Sequence, residues 1–145
     1  MKFLTLLFIL FAIPSVCQVT YKKGYFIDNS GEKTECFIKD LGWQDNPTEF
    51  DYRLQQDGQS KTASIKTVQE FSIDGLNKFI RALVDIDISR DEISQMSTQR
   101  NPEFQFSNLF LKVVVEGSVS LYSYQEDNLT KFFYKTPNTV YILIV

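Results

Sequence analysis

The chain has 145 residues, a formal net charge of −3, no histidine and 14% aromatic side chains. That length suits one domain with a proper core and is short for two. The mild acidity, with no basic run beyond Lys22-Lys23, argues against nucleic acid or an anionic membrane surface as partner, and the missing histidine removes His-based triads, Cys–His dyads and His-ligated zinc.

Residues 1–17 have the layout of a secretory signal peptide. Met1-Lys2 gives a positive start, Phe3 to Ile13 is an apolar run, and Pro14-Ser15-Val16-Cys17 closes it with small residues at Ser15 and Cys17. Cleavage is expected between Cys17 and Gln18. The run is 11 residues, short of the ~20 a bilayer-spanning helix needs, so the mature chain is expected not to span a membrane. Its expected location is the periplasm, the outer membrane surface or the medium. Lipidation of Cys17 is the rival processing, and bulky Val16 just before it speaks against that. Removing 17 of the 145 residues leaves 128, with 14 basic and 18 acidic side chains, a net of −4. Cys36 then stands alone, so neither an intrachain disulfide nor a thiolate metal cluster can form.

After Gln18 the pattern is period two between turn residues, the mark of an all-β chain. Val19 to Ile27 is a predicted strand, Asp28-Asn29-Ser30-Gly31 a turn, and Lys33 to Lys39 its hairpin partner. Thr34, Cys36 and Ile38 share a face there, so Cys36 is expected to be a buried small hydrophobe. Leu41 to Pro47 is a loop. Thr48 to Gln55 alternates Phe50, Tyr52 and Leu54 against Glu49, Asp51 and Arg53, and Lys61 to Ile65 returns after a turn. Lys66 to Phe71 is expected to be a single helical turn, with Ser72 to Gly75 either a short strand or its continuation.

Asn77 to Ser89 carries the clearest alternation. Ile80, Ala82, Val84, Ile86 and Ile88 face the core, while Phe79, Arg81, Leu83, Asp85 and Asp87 face outward. Arg90 to Glu103 is a long polar loop with room for a short helix at Asp91 to Gln95. Phe104 to Glu116 is a strand whose centre, Val113-Val114-Val115, is expected to be buried on both faces. Ser118 to Tyr124 and Leu129 to Lys135 follow, and Val140 to Val145 (VYILIV) ends the sequence as an uncharged apolar strand. Such a strand is either an interior member of the sheet or a partner for another chain or a further C-terminal region. The expected fold is therefore a single antiparallel β domain over residues 18–145. It has eight to ten strands, arranged as a curled sheet, a barrel or a sandwich, with at most one or two short helices.

Few constellations carry chemistry. Asp85 and Asp87 lie on one strand face, about 7 Å apart, and are expected to be solvated and paired with Arg81, since catalytic pairs come from different elements. The oxygen-rich Asp28 to Glu32 is explained by a hairpin turn and lacks calcium-loop spacing. Gly58-Gln59-Ser60-Lys61-Thr62 lacks the earlier glycine of a P-loop and sits between strands. No GxSxG occurs. Asn128-Leu129-Thr130 matches a glycan acceptor. Trp43, the only tryptophan, is either a plug folded over a sheet edge or a grip for a sugar or peptide. The polar loop offers a second candidate surface in Arg90, Asp91, Glu92, Met96 and Arg100. No catalytic residue, cofactor or metal ligand is expected.

Two segments, GYFIDNSGEKTECFIKDLGWQDNPTEFDY and RNPEFQFSNLFLKVVVEGSVSLYSYQEDNLTKFFYK, together resemble a group of exported β-rich proteins of unassigned function from didermal bacteria. They cover roughly half of the mature chain. In that group the domain often precedes an outer-membrane-barrel-like region, which this sequence does not contain up to Val145. The resemblance implies an envelope location and no established enzyme activity, and brings no site residues with it.

The expected function is that of a non-enzymatic exported domain, an interaction or structural module. Its partner is a protein or other envelope component. The alternative is a carrier for a lipid or other apolar ligand in an aromatic-lined barrel cavity. A carboxylate hydrolase built on Asp85 ranks below both.

Overall fold

The structure, a computed structural model, describes residues 20–87, 104–126 and 129–144. Ten strands form in chain order: β1 (Thr20–Asp28), β2 (Lys33–Asp40), β3 (Glu49–Arg53), β4 (Lys61–Ser64), β5 (Val68–Ile73), β6 (Asn77–Asp87), β7 (Phe104–Val115), β8 (Ser120–Glu126), β9 (Leu129–Lys135) and β10 (Ile142–Ile144). They make one antiparallel sheet in the order β10-β9-β8-β7-β6-β5-β1-β2-β3-β4. The sheet does not close. It is thus the curled-sheet form of the expected all-β fold, neither barrel nor sandwich. No helix occurs among the described residues.

The turns follow from the residues that make them. Asp28 accepts from the Ser30 backbone amide (2.8 Å), the Ser30 hydroxyl (2.6 Å) and the Glu32 amide (3.0 Å), and Gly31 takes a φ of 85°. These bonds, the Ser30 hydroxyl first, hold the Asp28 carboxyl below the usual range. Between β5 and β6, Gly75 takes a φ of 70°. Gly24 serves a different need. A Cβ there would stand 2.1 Å from the Ser72 carbonyl oxygen, so only glycine lets β1 lie this close to β5.

The sheet has two cores, one on each face. The first holds Phe26, Cys36, Ile38, Phe50, Ala63, Val68, Phe71, Ile73, Phe79 and Phe110. The second holds Ala82, Val84, Ile86, Leu111, Tyr122 and Phe133. The register proves that they are on opposite faces. Phe79 is paired with Phe71 on one side and Lys112 on the other, and Ile80 is paired with Leu111. Side chains alternate along a strand. Phe79 and Phe110 therefore point to one face, here called the front, and Ala82 and Leu111 to the back.

The two halves curl in opposite senses to cover these faces. Phe50 of β3 stacks on Phe71 of β5 with ring centroids 4.2 Å apart, although β1 and β2 separate those strands in the sheet. Arg81 of β6 donates to the Ile65 carbonyl just beyond β4 (2.9 Å). The N-terminal half thus wraps over the front. On the back, Tyr141 and Leu143 pack against the core that contains Ala82, Val84 and Ile86, and Lys131 of β9 donates to the Asp87 carbonyl. Each buried Phe contributes about 1.5–3 kcal/mol, so this rolling over both faces is what the aromatic-rich composition makes favourable.

Three expectations need correction. Residues 66–71 form no helical turn, because Val68–Ile73 is β5, the strand that buries Val68, Phe71 and Ile73. Phe79 is not outward but 2% exposed, since the front of β6 is covered at that end. Val114 and Val115 are exposed, because the β7–β8 register shifts after Val113, and the doubly buried centre lies earlier, at Phe110-Leu111. Of the two readings left open for VYILIV, the interior one does not fit: among the described residues β10 is the edge of the sheet and pairs with β9 alone.

Candidate functional site

The site is built by the loop between β2 and β3. It leaves β2 at Asp40, whose carboxylate pairs with Lys22 (2.8 Å) and accepts from the Gly42 amide (2.9 Å). The Lys22 bond first, then the Gly42 bond, lower the Asp40 pKa. Gly42 takes a φ of 57°, which turns the chain back over the front face. Trp43 then lies edge-on against Phe71 and Phe79, with centroids 5.7 Å from each.

Asn46 anchors the far end. β7 and β8 pair at Lys112↔Ser123, and that register continued would set Phe110 opposite Gln125. Asn46 occupies the gap instead. Its Nδ2 donates to the carbonyls of Phe110 (2.6 Å) and Ser123 (3.1 Å). Its Oδ1 accepts from the Gln125 amide (3.1 Å), and its own amide donates to the Gln125 carbonyl (2.9 Å). One side chain thereby completes the backbone pairing where the strands splay.

Between this loop and the sheet lies a groove of about 450 Å³, lined by Trp43, Gln44, Asp45, Asn46, Phe79, Lys112, Ser123 and Gln125. Phe79, Lys112 and Ser123 form one row across β6, β7 and β8. They are the floor, and the loop is the wall.

Trp43 alone among the expected site residues falls within the described structure. It packs on the core as a plug and also lines the groove. Arg90, Asp91, Glu92, Met96 and Arg100 lie outside the described residues, as do residues 1–17 with Cys17. Asn46, Lys112, Ser123 and Gln125 carried no signal in the sequence. The partners of Asn46 are 64 to 79 residues away, and nothing local marks them.

Asp85 and Asp87 do not pair with Arg81. Arg81 donates to Asn29 Oδ1 (2.8 Å) and to the Ile65 carbonyl, and Asp85 stands opposite Phe106 at the distal end of β6. Tyr25, Glu70, Lys78 and Glu116 form a polar cluster. Tyr25 donates to Glu70 (2.7 Å), and Lys78 bridges Glu70 (3.5 Å) and Glu116 (2.8 Å). Burial first, and then the Glu70 bond, push the Tyr25 phenol up to about 12. Every charge here has a partner, so the cluster ties neighbouring strands. Cys36 is 5% exposed, and burial pushes its thiol up to about 12. No three His, Cys, Asp or Glu side chains among the described residues converge as metal ligands would.

A second surface lies at the open edge. Ile142 stands opposite Tyr134 and Ile144 opposite Phe132. Ile142, Ile144 and Phe132 share the front face and are all exposed. No helix of the described residues is long and apolar enough to cross a membrane. Comparison with family models, curated proteins and solved structures finds no match to this chain.

Proposed function

We propose that this chain is a non-enzymatic, exported β domain that acts as an interaction module in the cell envelope. It takes an extended segment of a protein partner along β10. The observation that carries this is the edge itself: among the described residues β10 pairs on one side only, and Phe132, Ile142 and Ile144 form an exposed apolar patch beside its other side. An unblocked edge offers backbone hydrogen bonds to an added strand, and the adjoining side chains select its sequence. The apolar leader in residues 1–17 supports the exported location. An apolar carrier of the barrel kind has less support, because the sheet is open and the groove is ringed by polar side chains.

The test uses the mature chain and its Ile142→Lys and Ile144→Lys variants as bait in an envelope extract. The captured protein is then added back while hydrogen exchange is measured at residues 142–144. Capture by the parent chain alone, with slower exchange along β10, supports the proposal. A protein held equally by both lysine variants overturns it, and so does recovery of lipid with no protein.

A further inference from the structure

The groove under the Trp43 loop carries an inference independent of the β10 edge. We propose that it is a binding site for a short neutral saccharide. Sugars present apolar C–H faces together with hydroxyls that both donate and accept. A site for them therefore combines an aromatic surface with planar amides and a few charged groups. The groove brings that set together from four elements. Trp43 supplies a half-buried ring, seated on the buried Phe79, and Gln44 and Gln125 supply the amides. Ser123 adds a hydroxyl, and Lys112 and Asp45 add one charge of each sign. Because the two charges offset, the site has no net preference for an anion.

Three further observations support a ligand over a merely wet crevice. The volume, about 450 Å³, falls in the range of small-molecule sites, roughly 300–1,000 Å³. The side chains of Gln44, Asp45, Lys112, Ser123 and Gln125 line the groove and have no hydrogen-bond partner among the described residues. The frame is preformed, since Asn46 pins the loop at one end and Trp43 seats on Phe71 and Phe79 at the other. A preformed site loses less ordering entropy when it binds.

Trp43 is the only tryptophan, so its emission reports the groove directly. The mature chain is titrated with cellotriose, maltotriose, chitotriose and inorganic phosphate up to about 10 mM, the concentration range of weak ligands. Amide shifts of Ser123 and Gln125 are followed in parallel. The proposal expects a saturable change with at least one trisaccharide, centred on those two amides. In Gln44→Ala or Lys112→Ala the affinity falls about tenfold as the hydrogen bonds are lost. Neither residue makes a side-chain hydrogen bond within the described structure, so both variants are expected to melt like the parent. The proposal is overturned by no response to any sugar, by a response to phosphate alone, or by sugar affinity unchanged in both variants.

Discussion

Asn46 and Gln125 are joined by two hydrogen bonds, one running each way: the Asn46 amide donates to the Gln125 carbonyl, and the Gln125 amide donates to the Asn46 side-chain oxygen. With the Nδ2 bonds to Phe110 and Ser123, this makes Asn46 the link between the loop after β2 and the strands of the other half. Asn46→Ala strips three backbone groups of their partner and is expected to cost about 2–3 kcal/mol. Asn46→Asp is expected to be at least as damaging, because a carboxylate cannot donate to the Phe110 and Ser123 carbonyls. Urea unfolding of the two variants checks both. An Asp variant as stable as the parent would mean that the donated bonds contribute little.

Gly24→Ala is a sharper probe of the β1–β5 contact. The added methyl meets the Ser72 carbonyl oxygen at 2.1 Å, and backbone cannot swing aside as a side chain does. A loss of roughly 2–3 kcal/mol is expected from overpacking, seen as a lower midpoint in thermal unfolding. Gly117→Ala is the control. Its Cβ would meet only the Val119 carbonyl, at 3.6 Å, and the change is expected to stay within about 0.5 kcal/mol.

The two cores predict additivity. Phe71 and Phe133 are both fully buried, on opposite faces and four strands apart in the sheet. Phe71→Leu and Phe133→Leu are each expected to cost about 1–2 kcal/mol through lost burial and a small void. The double variant is expected to equal the sum within about 0.5 kcal/mol. Phe71→Leu with Phe50→Leu, whose rings stack at 4.2 Å, is expected to deviate from its sum. Denaturant titration of the single and double variants measures both couplings.

Alkaline pH is expected to destabilise the domain. Burial raises the Cys36 thiol and the Tyr141 phenol to about 12, with the Tyr122 neighbour adding to the latter. Folding therefore favours the protonated forms. Their contribution is complete below the unfolded values of 9.0 and 10.0, and is lost as pH rises from there towards about 12. Unfolding midpoints recorded from pH 8 upward should fall across that window, and less steeply in Cys36→Ala. At pH 8 the thiol should resist a disulfide reagent until the chain is unfolded.

The strands were legible because alternation and turn chemistry are local. The Asp28–Gly31 turn and the inward Thr34–Cys36–Ile38 face needed only neighbouring residues. Phe79 was not legible. Alternation along Asn77–Ser89 identifies one core face, the one with Ala82, Val84 and Ile86. It cannot reveal that a distant segment, Trp43 with β3 and β4, covers the other face at one end. The failure at Val113–Val115 has the same root, since a β-branched run marks a strand and not what lies above it. The groove was least legible. Lys112 and Ser123 read as ordinary strand residues until the register sets them beside Phe79, and Asn46 reads as a loop residue until its partners arrive from β7 and β8.

Burial changes sides between Phe79 and Ala82, and between Phe110 and Leu111 on the facing strand. The β6–β7 strand pair is thus a party wall with a furnished room on each side. Slipping its alignment by one position would turn Phe79 and Phe110 out of the first room and Leu111 out of the second in a single step. No neighbouring register satisfies either side, so a one-residue deletion within Phe79–Val84 should be far less tolerated than one at the tip of a surface turn.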